Sequence, residues 1–426
     1  MVLDRSIAPT PFPFQDIQIP GLEKKILSNG NPLYIVNCGE QPIVRFEMIW
    51  EAGNKFETKT GQSYFTIKML SEGTHSFSSN EIAEKFASIG YFIEFSQGSE
   101  RAMITLNGLT KHLNKALEIL SDLVLNPIFP EKEFLNLKTV SKQHLSVNLE
   151  KTSYLASVVF KENVFGSNHY IGKSLSMADI DLINRADLLQ FYNDFIKNKA
   201  FKIFAAGKIE KTEIDLINQF SSIFINELTI YGEEPTITAQ YDGKQLVIEK
   251  EGSLQSSIRI GRRMIDRKHE DYYPLKVCNT ILGGYFGSRL MKNIREEKGY
   301  TYGISSSHLP IPNYGYLLIG TDVKREFTQN TIDEIHKEIS KLQTELVGNQ
   351  ELEVVKNFII GDFAGSLNTP FDIADKHKVA INEGLPAGYY NDFVQNVLSV
   401  TNQQVLEMAK KYFSKESLFE VVVGGK

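Results

Sequence analysis

At 426 residues the chain is too long for one ordinary domain and predicts two or more. Hydrophobic residues make up 42% and charged residues 23%, the balance of a globular protein with ample core material. A net charge of −6 and a pI near 5.9 argue against nucleic acid as a partner, and no apolar run approaches the roughly 20 residues of a membrane-spanning helix.

The first residues, MVLDRSIAPTPFPFQDIQIP, are broken by prolines and lack a basic start followed by an apolar core. No intact signal peptide is read there, and a cytoplasmic setting is expected. An Asn29-Gly30 pair then predicts a hairpin turn, and a strand from Val44 to Trp50 puts Val44, Phe46, Met48 and Trp50 on one face. Amphipathic helices are predicted over Lys111–Leu125 and about Glu131–Leu149. Asn184 is a helix cap, Phe195 lies near that helix's end, and a strand follows into Gly207.

The stretch from 226 to 243 is polar, holds Gly232, Pro235 and Gly243, and lacks helical periodicity, so it reads as a linker. After it the pattern repeats. Strands form around Leu246 and Ile258, Thr401 caps a helix, Tyr412 lies near its end, and a final strand runs into Gly424. Gly207 and Gly424 each fall 12 residues after the matching aromatic, and Gly90 matches Gly299 more loosely. The chain therefore reads as a duplication. The expected class is α+β: two homologous two-layer domains, 1–225 and 244–426, each an antiparallel-rich sheet with helices on one side.

The two cysteines, Cys38 and Cys278, stand 240 positions apart in apolar stretches and are expected to be small buried hydrophobes. The eight histidines are never closer than 25 residues, so no helical pair of imidazole ligands exists. His75 reads as a loop residue, and the runs Arg267-Lys268-His269 and Asp375-Lys376-His377 read as solvated faces.

Two segments carry chemistry. Leu282–Tyr302 reads LGGYFGSRLMKNIREEKGYTY: paired glycines, a helix bearing Arg295, a Lys298-Gly299 stop, and Tyr302 seven residues after Arg295, so that their side chains could converge. Gly61–Thr74 reads GQSYFTIKMLSEGT. The first segment resembles the C-terminal substrate clamp of the pitrilysin/insulinase-type (inverzincin) metallopeptidases, which bind zinc through H-x-x-E-H in the N-terminal half. Against that motif the second segment keeps the glycines and the apolar frame but has Tyr64, Ile67 and Lys68 where His, Glu and His would stand. The family's third ligand is a glutamate on a later helix; here Phe134–Leu149 contains no Asp or Glu, and Lys142-Gln143 stand near the expected spot.

The resemblance implies a fold of duplicated units facing a peptide-holding cavity. It implies that Arg295 orients the substrate backbone and Tyr302 donates to the tetrahedral oxyanion, with Gly283, Gly284, Ser288 and Arg289 in the substrate-binding string. It implies no metal on this chain, zinc on a homologous partner subunit, and a peptide as substrate, captured by strand addition. The expected function is thus the non-catalytic subunit of a heterodimeric zinc endopeptidase, with a proteolytically inactive scaffold or peptide-binding protein as the alternative.

Overall fold

The computed structural model describes residues 17–228, 237 and 245–425. The stretch read as a linker lies, apart from 226–228 and 237, outside the described residues. The first half runs through β1 (Glu23–Ile26), β2 (Pro32–Asn37), β3 (Ile43–Trp50), α1 (Gln62–Met69), α2 (Ser79–Ser88), β4 (Phe92–Gln97) and β5 (Ala102–Leu109). It continues with α3 (Leu113–Leu125), α4 (Glu131–Leu149), α5 (Thr152–Phe165), α6 (Met177–Leu182), α7 (Arg185–Phe195), β6 (Lys202–Gly207) and α8 (Lys211–Ser222).

The second half opens with β7 (Gln245–Glu249), β8 (Gln255–Met264) and α9 (Tyr272–Asn279), then two π-helical segments, Thr280–Gly284 and Met291–Glu297. There follow β9 (Thr301–Ile311), β10 (Tyr314–Lys324), α10 (Thr328–Thr344), α11 (Asn349–Gly365), α12 (Pro370–Glu383), α13 (Phe393–Leu398), α14 (Asn402–Tyr412) and β11 (Phe419–Gly424).

The duplication is visible strand by strand. One sheet has the order β1-β2-β6-β3-β5-β4 and the other β7-β11-β8-β10-β9. In each, the closing strand lies parallel to an early strand (β6 to β2, β11 to β7) and antiparallel to the next (β3, β8). Matched glycines have matched backbones: Gly207 and Gly424 at φ 123° and 125°, Gly90 and Gly299 both at 68°. Those left-handed values are the reason glycine stands at all four. Asn184 and Thr401 each close a capping box, with Asp187 and Gln404.

Within β3, Val44, Phe46, Met48 and Trp50 are all fully buried in one cluster with Phe65 of α1 and Leu120 of α3. Burial of each such side chain contributes about 1.5–3 kcal/mol. Each sheet is covered on one face by helices of its own half, and the opposite face takes one helix from the other half. α5 lays Phe160 and Phe165 on the second sheet against Phe419, Val421 and Val423. α12 lays Ile373 and Ala374 on the first sheet against Val36 and Ala206.

This exchange corrects the reading of the two charged runs as solvated. Asp375 receives both ends of the Arg45 guanidinium, at 2.8 and 3.1 Å, and the Nε2–H of His377 donates to the Pro20 carbonyl at 2.9 Å. Arg267 pairs with Glu383 and donates to the Tyr272 hydroxyl at 2.8 Å; Lys268 and His269 do stay exposed. The runs line the seam between halves, and charge pattern alone does not separate a polar seam from a wet surface. Cys278 is fully buried, which pushes its thiol up to about 12, whereas Cys38 is only half-buried. No helix among the described residues is long and apolar enough to cross a membrane.

Candidate functional site

Helix α1 occupies the position of the lost motif. It starts from Gly61 at φ 96°, and the Glu57 carboxylate accepts the amides of Gly61 (3.0 Å) and Ser63 (2.8 Å) at its N-terminal end. Ile67 points into the core and is fully buried. The Tyr64 hydroxyl lies 3.5 Å from Ser141 Oγ on α4, and a cavity of about 270 Å³ opens beside it, bordered by Glu57, Gln97 and Tyr170. The Lys68 ammonium donates to the Phe95 carbonyl at 2.9 Å.

On α4, Ser141 lies beside Tyr64 and Phe134 packs edge-on against Phe65 of α1, while Lys142 turns away to Asp181. Zinc needs imidazole, thiolate or carboxylate donors converging at about 2 Å. A phenol, an apolar chain and a hydrogen-bonded ammonium do not fit it. Among the described residues no three His, Cys, Asp or Glu side chains gather closely enough to hold a metal ion. His75 is exposed on the loop after α1.

Burial pushes the Glu57 carboxyl up to about 7, against its two amide hydrogen bonds. That folded value lies above the ordinary 4.5, so the native state holds this proton more tightly than the unfolded chain. The contribution to stability is present below pH 4.5 and is lost as pH rises toward 7. Glu57→Gln is expected to flatten that loss, checked by unfolding midpoints of both proteins from about pH 5 to about pH 8.

The second segment builds an open cleft of about 440 Å³ in the other half. Gly283, Gly284, Arg295 and Tyr302 all border it, so the structure brings together the two side chains whose convergence the spacing allowed. Arg295 comes from the second π-helical segment, whose extra residue per turn re-aims side chains locally. Its guanidinium carbon sits 4.7 Å from the centroid of the Phe286 ring, a cation–π contact that holds it over the cleft. It makes no ion pair among the described residues.

Tyr302, the second residue of β9, follows just after the Gly299 stop and is 93% exposed. Gly303 and Gly320 border the cleft as well, and Gly284 and Gly303 expose their backbone, where a chain can approach closely. At Gly283 a Cβ would stand 2.6 Å from the Ser306 amide, so only glycine fits. The cleft thus offers a phenol, a guanidinium and free backbone, and Arg295 is the only charge on its lining among the described residues.

Ser288 and Arg289 are not part of that lining. Ser288 is buried, and Arg289 forms a two-pronged pair with Glu351 on α11 at 2.9 and 2.8 Å. Arg289 is thereby tied to α11 and turned away from the cleft. Sequence reasoning missed Phe286, which is 63% exposed and props Arg295. Its signal was an aromatic placed inside a glycine-rich turn, where no core exists to receive it.

Comparison with known proteins agrees with this architecture. The profile of the insulinase (peptidase M16) family matches residues 37–170, and that of the peptidase M16 inactive domain matches residues 182–359. The "uncharacterized zinc protease YmxG" of Bacillus subtilis is 25% identical over 372 residues, covering 85% of this chain and 89% of its own. The "non-peptidase homolog YmxG" of Helicobacter pylori is 24% identical over 406 residues, 90% of each chain. The mitochondrial-processing peptidase subunit beta of Bos taurus is 22% identical over 247 residues, 56% of this chain and 49% of its own.

Among solved structures, the peptidase M16 inactive domain from Pseudomonas fluorescens superposes with a TM-score of 0.86 at 22% identity, over 95% of this chain and 98% of that one. The two family profiles, the matched fold and the degenerate helix α1 lead to one statement. The chain belongs to the insulinase family of peptidases, M16, as a member without the zinc-binding motif.

Proposed function

We propose that this chain is the non-catalytic subunit of a heterodimeric zinc endopeptidase, made of two homologous domains at 1–225 and 244–426. It completes the active site of a zinc-bearing homologous partner with Arg295 and Tyr302. The observation that carries the reading is the shared cleft: an unpaired guanidinium and an exposed phenol beside exposed glycine backbone. A guanidinium and a phenol fixed in place stabilise developing negative charge without reorganising. Gly284 lets an extended peptide lie against the backbone, Gly283 lets the turn pack closely on β9, and the Arg289–Glu351 pair and buried Ser288 lie behind it. Zinc, and the base that activates water, belong to the partner. A cytoplasmic setting is consistent with two free thiols, Cys38 and Cys278.

The names of several relatives bear on the alternative, a scaffold without proteolysis. One is a "non-peptidase homolog", and two bovine relatives are named as subunits, of a processing peptidase and of the cytochrome b-c1 complex. The Arg295–Tyr302 cleft favours the catalytic partnership.

Native mass spectrometry with zinc analysis of the tagged protein from its own cells tests the partnership: a similar-sized chain bearing H-x-x-E-H and one zinc per pair is expected. In the purified pair, Tyr302→Phe is expected to lower peptide turnover on the order of a hundredfold with assembly intact. Unchanged turnover removes the oxyanion role, and a metal-free assembly without peptidase activity moves the assignment to the scaffold.

A further inference from the structure

Strand β4 is an open edge of the six-stranded sheet. Across the tip of the β4–β5 turn, Gly98 N–H donates to the Arg101 carbonyl at 2.8 Å, which makes 98 and 101 a hydrogen-bonded pair. Such pairs alternate with non-hydrogen-bonded ones along an antiparallel ladder. The register runs unbroken from Gln97–Ala102 back to Phe92–Asn107. Phe95, opposite Ile104, therefore falls in a non-hydrogen-bonded pair, with its N–H and C=O both turned to the open side. This is the geometry that recruits an extra strand, and native proteins guard it.

Two other edges carry guards of their own. β1 is only four residues long and has Lys24 and Lys25. β9 contains Pro310, and Asn279 donates to its Ser306 carbonyl at 2.9 Å. β4 has one exposed charge, Glu94, but neither lysine, proline nor bulge in its own sequence, FIEFSQ, and its Phe92 is 78% exposed. Its guard comes from outside: the Lys68 ammonium on α1 donates to the outward carbonyl of Phe95.

We propose that Lys68 is the edge guard of the first sheet, closing β4 to strand addition by occupying the Phe95 carbonyl, so that an extended peptide is refused there. A residue at a vacated metal-ligand position thereby closes the edge strand beside it. The claim is independent of the proposed partner.

The test uses the full chain and a blocked seven-residue peptide of alternating valine and threonine with one photo-reactive phenylalanine derivative. After irradiation, labelling is mapped by mass spectrometry in wild type, Lys68→Met and Lys68→Arg, each first shown to be folded by thermal unfolding; Lys68→Ala replaces Lys68→Met should the latter not fold. Labelling of residues 92–97 is expected to rise on the order of tenfold in Lys68→Met, the factor that about 1.4 kcal/mol of lost competition produces, and to stay at the wild-type level in Lys68→Arg. Dimerisation of Lys68→Met through β4 would support the same conclusion. Equal labelling of β4 in wild type and Lys68→Met, at a high or a low level, overturns it. Labelling at the Arg295–Tyr302 cleft is scored separately and bears only on the partnership.

Discussion

Replacing Phe160 with alanine is expected to lower the stability of the chain by about 3–5 kcal/mol. Phe160 belongs by sequence to the first half but is 1% exposed on the second sheet. Its ring lies 6.4 Å from that of Phe419 and 6.5 Å from that of Tyr316. It fits so closely over the central strand that a Cβ on Gly261 would come within 3.0 Å of it. Truncation empties a space that neither sheet can fill, because strand backbones cannot move toward a missing ring. Trp50, the single tryptophan, sits in the core of the first half and supplies a separate probe. Urea unfolding followed by its fluorescence, together with hydrogen exchange of β8 and β11, should show both halves weakened. A Trp50 transition that stays put while β8 and β11 open would mean that α5 does not couple the halves.

Lys378→Met is expected to cost about 3 kcal/mol, the lower end for breaking a buried ion pair. Glu47 on β3 is 2% exposed and takes the Lys378 ammonium on both oxygens, at 2.8 and 2.9 Å. With the lysine gone, Glu47 keeps only Arg45, whose Nε is 3.6 Å away. Lys378 itself retains some contact with water, which holds the estimate at the low end. The double variant Glu47→Gln/Lys378→Met should regain most of the loss, since the buried carboxylate is then gone and Asp375, which also pairs with Lys378 at 2.8 Å, keeps Arg45. Denaturant midpoints of the two variants check this: equal losses in single and double variants would show that the pair contributes packing and not charge.

Much of the fold was legible because it rests on local rules. The period-two pattern of Val44, Phe46, Met48 and Trp50 fixed a core face, and α4 runs over Glu131–Leu149 as its pattern predicts. The repeated glycines at 207 and 424 announced the duplication through a backbone need that each position meets separately. The exchange of α5 and α12 was not legible, since an amphipathic helix does not say which sheet receives it. For the same reason Asp375 and Arg267 looked solvated: their partners lie 330 and 116 residues away in the chain. At the site, the Arg295–Tyr302 spacing allowed the two side chains to converge, and both border one cleft. The placement of Arg289 depends on Glu351, far off in sequence and silent in any motif.

The exchanged helices also impose an order on synthesis. The first sheet has all its strands once Gly207 has emerged, yet α12, which covers its outer face, begins at Pro370. At about 5–20 residues per second that face waits roughly 10–30 s for its cover. It is lined in part by Arg45 and Glu47, which can pair with each other while they wait. The opposite case is harsher: α5 leaves the ribosome with Phe160 and Phe165 long before β11 exists to receive them. A nascent chain paused in that interval would be the form of this protein most in need of a chaperone.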